Sequence, residues 1–281
     1  MYGVWLPPIM LRAVPISVQR AQFARIAQLG YSSLWTGEAP PDSPLAGREV
    51  FAQQAIMLAA TERIVVGSGV ANIQARHPGA MHGGASTLAE AYPERFILGL
   101  GGARGPSELG VYLDAMDEAA KRLPGAPYRR ILAALGPKAH ELARERADGV
   151  HPFQQPVEHT AIARAALAPG QLLIVHQAVA LETDPETARA LPRAGLRFMT
   201  GETPYTKNYR RLGFTDADLA GDRSDRLIDA TLAWGDPDVV AARLRAHLDA
   251  GADQVLVQPY GPDLPSVVDQ LQRLAPVTLA G

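Results

Sequence analysis

Two polar side chains lie where short apolar segments of the sequence end. Glu38 follows the segment 32–36, and His151 closes the segment 149–151. A carboxylate in such a place can orient a ring or a substrate hydroxyl, and an imidazole can donate a proton or contact a ring. We therefore take Glu38 and His151 as candidate catalytic residues. An ion-paired Glu38 and a purely structural His151 stay open as alternatives.

Three larger side chains near the same segment ends are candidates for a substrate pocket. Trp5 and Trp35 have the rings to wall an aromatic pocket, although tryptophan is also a common core residue. Arg76 precedes His77 and Pro78, and proline is favoured at the first position of a helix. From the loop before that helix, Arg76 can reach the site.

Small residues dominate the rest of these segment ends. A hydrolase would need a nucleophile and a base there, whereas a cofactor enzyme needs mainly shape because the cofactor supplies the reactive atom. Glycine lets backbone approach a flat ring closely, and the turn before the helix at Lys138 offers N–H groups to a phosphate. Any one glycine can equally serve only a turn. The candidate cofactor-binding residues are Gly69, Val70, Ala71, Gly99, Gly101, Ala134, Leu135, Gly136 and Pro137.

Several common enzyme motifs are incomplete or absent. The run that starts at Gly99 has Arg104 where a dinucleotide fingerprint needs its last glycine, and His140 is followed by Arg144 where a zinc helix needs a second histidine. No glycine–lysine pair is followed by serine or threonine, and the chain has no cysteine. The sequence therefore predicts no metal site and no thiol chemistry.

Strand-like and helical segments alternate along the chain. The first four predicted strands begin about 30 residues apart, which is typical of βαβ units. Most predicted strands are apolar on both faces, as in parallel sheets, and eight of them favour a closed (β/α)8 TIM barrel over an open doubly wound sheet. The predicted strands are 2–6, 32–36, 63–71, 95–99, 131–135, 149–151, 172–180 and 254–257. The predicted helices are 17–29 (with Ser17 as N-cap), 49–60, 78–91, 108–121, 138–147, 158–168, 184–194, 236–250 and 264–274.

The composition indicates one domain over 1–281, with an irregular helical insertion at about 198–234. The chain has 281 residues, 47% of them hydrophobic, and a formal net charge of −2. That charge gives no broad positive field for nucleic acid or an anionic membrane. No apolar run is long enough to span a membrane and no leader is recognised, so a cytoplasmic protein acting on a small molecule is expected. Small residues in two helices would allow a homodimer, although they would pack equally well against the barrel: Ala59, Ala60, Gly83 and Gly84.

Several motifs, taken together and in order, resemble the luciferase-like monooxygenase superfamily, most closely its branch of coenzyme F420-dependent (deazaflavin) oxidoreductases. Each motif is unspecific alone, but their joint order covers nearly the whole chain. They are LWTGE at 34–38, TERIVVGSGV at 61–70, RHP at 76–78, YPERFILGLG at 92–101, AALGP at 133–137, ADG at 147–149, WGDP at 234–237 and AGADQV at 250–255.

The resemblance implies a barrel whose carboxyl-terminal face binds coenzyme F420 and transfers a hydride to or from a small organic substrate. It also implies a cis peptide between Gly69 and Val70, behind the cofactor ring. The loop of Ala134, Leu135 and Gly136 would then bind the cofactor phosphate.

This sequence departs from its relatives in two places, and two other functions stay open. Many relatives have histidine after the acid that follows strand 2, where this chain has Ala39 after Glu38. The segment after the fourth predicted strand is also shorter here. An FMN-dependent monooxygenase, or a non-catalytic relative that binds a cofactor or a partner, remain the alternatives.

Overall fold

The computed structural model describes residues 1–40, 42–196 and 201–279. Its strands, in chain order, are β1 (Tyr2–Leu6), β2 (Ser33–Thr36), β3 (Val65–Ser68), β4 (Ala71–Asn72), β5 (Phe96–Gly101), β6 (Arg129–Leu132), β7 (Gly149–Val150), β8 (Leu172–Ala180), β9 (Leu232–Trp234) and β10 (Gln254–Pro259).

The helices cover the outside of the strands, and a short 3-10 helix (Ile73–Ala75) follows β4. They are α1 (Pro8–Ala13), α2 (Ile16–Gln28), α3 (Val50–Ala59), α4 (Pro78–Ala91), α5 (Pro106–Arg122), α6 (Pro137–Arg146), α7 (Val157–Ala166), α8 (Pro185–Leu196), α9 (Pro204–Arg211), α10 (Asp216–Leu219), α11 (Asp225–Thr231), α12 (Pro237–Asp249) and α13 (Leu264–Thr278). None of the helices in the described part of the chain is both long and apolar enough to cross a membrane.

Eight parallel strands close into a barrel, which confirms the predicted (β/α)8 fold. The order around the ring is β1, β2, β3, β5, β6, β7, β8 and β10. The last strand closes the ring, because Val255 pairs with Tyr2 of β1 and with Val175 of β8. The short β4 continues β3 and pairs with β5, and β9 pairs with the end of β8.

Side chains alternate between the outside of the barrel and its lumen. On β1, Val4 and Leu6 belong to the large apolar layer between strands and helices, and Trp5 belongs to a separate inner cluster. Strands closed into a barrel place successive side chains on opposite faces, so this alternation is expected. The inner cluster is a packed plug of Trp5, Trp35, Ile131, Ile174 and Leu256.

Several predicted boundaries are corrected by the structure. The helix predicted to start after Ser17 begins at Ile16, with Pro15 in the N-cap position. The strand predicted at 131–135 is β6, which ends at Leu132, so Ala134 and the residues after it form a loop. The strand predicted at 63–71 is divided into β3 and β4 around the Gly69–Val70 peptide, which is cis as the resemblance implied.

Within the range of the predicted helical insertion the structure has three short helices. It also has one strand, which the sequence did not indicate. Residues 198–200 of the predicted range lie outside the described residues. From 201 onward, α9, α10 and α11 follow one another, and β9 then adds three residues to the edge of β8.

Candidate active site

Trp5, Gly69 and His151 meet at the carboxyl-terminal end of the barrel. The indole Nε1 of Trp5 donates a hydrogen bond to the carbonyl oxygen of Gly69 at 3.0 Å. A Cβ atom on Gly69 would lie 2.9 Å from Trp5 Nε1 and 2.9 Å from His151 Nε2. The ends of β1, β3 and β7 therefore bring two ring nitrogens against one glycine.

His151 is a neutral, buried imidazole with one unused nitrogen. Its Nδ1 lies 2.8 Å from the carbonyl oxygen of Ile174, which accepts only from a protonated nitrogen. The proton is therefore on Nδ1, and the buried Nε2 has a lone pair and no partner among the residues that the structure describes. Burial lowers the pKa of His151 to about 4, so the ring is uncharged at neutral pH.

Two further rings extend this cluster, and the sequence did not identify them as site residues. Phe153 lies 3.9 Å from the His176 ring and 4.9 Å from Trp5, measured between ring centroids. His176 is buried, and its Nε2 is 2.7 Å from Gln258 Oε1. Burial lowers the pKa of His176 to about 3. The only sequence signal for Phe153 is its place two residues after the strand-end residue His151.

Trp35 lies deeper in the lumen than the predicted pocket role suggests. Its side chain is fully buried and its Nε1 donates to Ser33 Oγ at 2.7 Å. The ring covers Gly67 and stacks on His151 with centroids 5.9 Å apart. In this position Trp35 supports His151 from inside the core, whereas Trp5 is at the edge of the cluster.

Glu38 and Arg76 form a bidentate ion pair beside the same segment. The guanidinium donates to both carboxylate oxygens, at 2.8 and 2.5 Å, and one of these oxygens also accepts from the Asn72 backbone N–H at 2.9 Å. Arg76 makes a further ion pair of 2.8 Å with Glu49. The charge of the Glu38 carboxylate is already balanced by Arg76. The carboxylate is therefore placed to hold the backbone of residues 70–72 in position.

The other predicted small residues near this segment are closely packed by the protein's own atoms. Gly99 exchanges two hydrogen bonds with Ser68 Oγ, and a Cβ there would lie 2.0 Å from the Ser68 carbonyl oxygen. A Cβ on Gly101 would lie 2.5 Å from Val70 Cγ2. Ala71 pairs with Leu100 in the sheet. These positions keep β3, β4 and β5 close together behind Gly69.

The loop of Ala134, Leu135, Gly136 and Pro137 follows β6 and leads into α6. The helix starts at Pro137 with Gly136 as N-cap and no side-chain cap. A Cβ on Gly136 would lie 2.9 Å from the Nη1 atom of Arg211, at the end of α9. Sequence reasoning missed Arg211, because nothing in the pattern of 201–231 indicated that α9 would return to α6.

The first part of the chain, residues 7–126, matches the family model of the luciferase-like monooxygenases. No curated protein matches the sequence. The resemblance seen in the motifs to the luciferase-like superfamily is thereby confirmed.

Three solved structures show the same barrel at low identity. An F420-dependent secondary alcohol dehydrogenase in complex with an F420-acetone adduct is 15% identical, with 99% of this chain and 98% of that chain covered and a TM-score of 0.73. The coenzyme F420 dependent tetrahydromethanopterin reductase from Methanopyrus kandleri is 16% identical over 98% of each chain, with a TM-score of 0.75. The oxygenating constituent of 3,6-diketocamphane monooxygenase from Pseudomonas putida, in complex with FMN, is 14% identical over 99% and 96%, with a TM-score of 0.69.

Proposed function

We propose that this protein is a coenzyme F420-dependent oxidoreductase that moves a hydride between the deazaflavin and a small organic substrate. The observation that carries the proposal is that the titratable groups around Gly69 are either uncharged or paired with an opposite charge. There His151 and His176 are neutral, and Glu38 is paired with Arg76. None of these residues forms a nucleophile–base pair, which favours chemistry in which a bound cofactor supplies the reactive atom.

The residues present fit such a cofactor at two points. The orphaned, buried Nε2 of His151 is an acceptor for a hydrogen bond from a ring or a substrate. The uncapped start of α6 offers backbone N–H groups to a phosphate. When bound, the deazaflavin would supply the hydride donor or acceptor.

The protein's own residues then bind, orient and exclude water. Trp5 and Phe153 would shield the reacting face from water, and His151 would orient the bound ring through Nε2. Glu38 and Arg76 would hold the backbone of Val70 and Ala71 in place. Gly69, Gly99 and Gly101 would keep that backbone close enough to contact the cofactor.

The preference for deazaflavin is supported by the two F420-dependent enzymes among the similar structures. The FMN complex of a structural neighbour favours the second candidate, an FMN-dependent monooxygenase on the same scaffold. The third candidate function is that of a non-catalytic relative. The short connection between Gly101 and the start of α5 at Pro106 favours it.

A turnover assay separates the three candidates. The protein is incubated without oxygen with reduced coenzyme F420 and a panel of enones, and the return of the oxidised deazaflavin absorbance is followed. We expect turnover with at least one enone and no oxygen consumption with reduced FMN beyond the free-flavin rate. Substrate-dependent oxygen uptake with FMN would support the monooxygenase instead. Absence of both activities would favour the non-catalytic relative.

We also propose that residues 1–281 act as a single domain in the cytoplasm and assemble as a homodimer. The proposed interface uses the small residues of α3 and α4. On α4, a Cβ on Gly84 would meet the Phe51 ring at 2.6 Å, whereas nothing lies within 4 Å of one on Gly83. Gly83 is therefore the position that has room for a partner subunit.

A further inference from the structure

A positive charge lies against the positive end of a helix at the start of α6. Arg211 ends α9, and its guanidinium lies over Gly136, the N-cap of α6. Its neighbour Arg210 pairs with Glu202 and Asp216. Within the described residues, Arg211 has only a 3.4 Å contact with the side-chain oxygen of Asn208 and no carboxylate. A helix N-terminus carries partial positive charge, so this arrangement is unfavourable without an anion.

The second observation is a buried imidazole beside Arg211 with an unused N–H group. The amide nitrogen of Asn208 lies 2.8 Å from Gln155 Oε1 and 3.2 Å from His159 Nδ1. If the amide donates to both, His159 Nδ1 accepts and the proton of this ring is on Nε2. That Nε2 atom is buried, has no partner, and belongs to a side chain that is 1% exposed. A buried donor without an acceptor is costly, which points to a missing acceptor.

His140, on α6 itself, packs against the His159 imidazole. Its ring stacks on His159 with centroids 5.6 Å apart and hydrogen-bonds to the backbone of Ala134. Its Nε2 is also buried and unpartnered. Burial is the main cause that lowers the pKa of both imidazoles, and the charge of Arg211 lowers both further.

We propose that Arg211, His159 and the first turn of α6 form one receptor for a phosphate group, and that α9 is the element that completes it. A phosphate there would neutralise Arg211, accept the orphaned N–H of His159 and accept from backbone N–H groups of α6. This proposal rests on the proposed function, because the phosphate would be that of the cofactor. It goes further because it assigns phosphate binding to Arg211 of the helical insertion and to His159 of α7.

Inorganic phosphate is the probe, and two neighbouring arginines give a matched pair. Phosphate binding is measured by calorimetry for the full chain, for Arg211→Met and for Arg210→Met. Losing a charge-assisted contact is expected to weaken phosphate binding by about tenfold or more in Arg211→Met. Arg210→Met should bind as the unmodified chain does. Phosphate should also shift the Nε2 resonance of His159 in nitrogen-15 spectra, and this shift should be absent in Arg211→Met.

Equal phosphate affinity in Arg211→Met and Arg210→Met would overturn the proposed phosphate receptor. So would a His159 Nε2 resonance that does not shift when phosphate is added. The two proposals fail separately. If the protein binds deazaflavin but Arg211→Met leaves its affinity unchanged, the receptor assignment is wrong and the function stands. If phosphate binds through Arg211 but neither deazaflavin nor FMN binds, the receptor stands and the proposed function is wrong.

Discussion

At the scale of single residues, the titratable groups at the strand ends are neutral or already paired. His151 keeps its proton on Nδ1 because the Ile174 carbonyl accepts it, and burial prevents a second proton from binding at neutral pH. Glu38 is neutralised by Arg76. Such groups can orient a ring or a backbone segment, but they are poorly suited to attack a substrate.

Gly69 is the residue where this arrangement is most easily tested. In Gly69→Ala the new methyl group would lie 2.9 Å from the ring nitrogens of both Trp5 and His151, so both rings must move. Overpacking of this kind is expected to lower the free energy of unfolding by about 1–3 kcal/mol. It should also weaken cofactor binding. Urea unfolding measures the first effect and a cofactor titration the second.

Gly110→Ala is the matched control, because the added methyl group would lie 3.9 Å from its nearest neighbour, Leu142 Cδ1, which is an ordinary van der Waals contact. Gly110 lies inside α5, where alanine is favoured over glycine by up to about 1 kcal/mol. The control should therefore be as stable as the original chain or slightly more stable. If Gly69→Ala behaves like Gly110→Ala, the two rings do not close on Gly69 and the proposed arrangement of the site is wrong.

At the scale of elements, the sequence predicted all eight barrel strands because buried parallel strands are apolar on both faces. Helix α4 was predicted at its observed bounds, since His77 caps it and Pro78 starts it. The start of β6 was missed because its first residues are Arg129 and Arg130, and Arg130 gains its ion pair with Asp117 only in the folded chain.

The unpredicted parts of the molecule depend on contacts between distant segments. The strand β9 has three residues and pairs only with the end of β8, so its own pattern is too short to recognise. Trp5, Gly69 and His151 were identified because each lies at a strand end. The roles of His176 and Arg211 were not identified from the sequence. Closure of the barrel brings His176 to its partners, and the return of α9 to α6 brings Arg211 to its own.

At the scale of the whole molecule, buried neutral histidines make stability depend on pH. Burial is the main cause that lowers the pKa of His151, His159 and His247 to about 4 and of His176 to about 3. In the unfolded chain their pKa is about 6.5. Below that pH the unfolded state binds more protons than the folded state, so the stabilisation present above pH 6.5 is lost as the pH falls towards 4.

We therefore expect the free energy of unfolding to fall by at least about 3 kcal/mol between pH 7.5 and pH 5. Urea unfolding at the two pH values measures the change. Replacing His247 by glutamine should reduce the difference, because one of the four groups no longer titrates. An equal free energy of unfolding at both pH values would show that these imidazoles bind protons as readily in the folded protein as in the unfolded chain.

Binding of a deazaflavin at the carboxyl-terminal face of the barrel is tested most simply by direct titration. Purified protein is titrated with coenzyme F420 and, separately, with FMN, and quenching of tryptophan fluorescence is followed, since Trp5 contacts Gly69. We expect saturable quenching by coenzyme F420 at concentrations at least tenfold below those needed for FMN. Preference for FMN would contradict the choice of cofactor, and absence of binding by both would contradict the function as a whole.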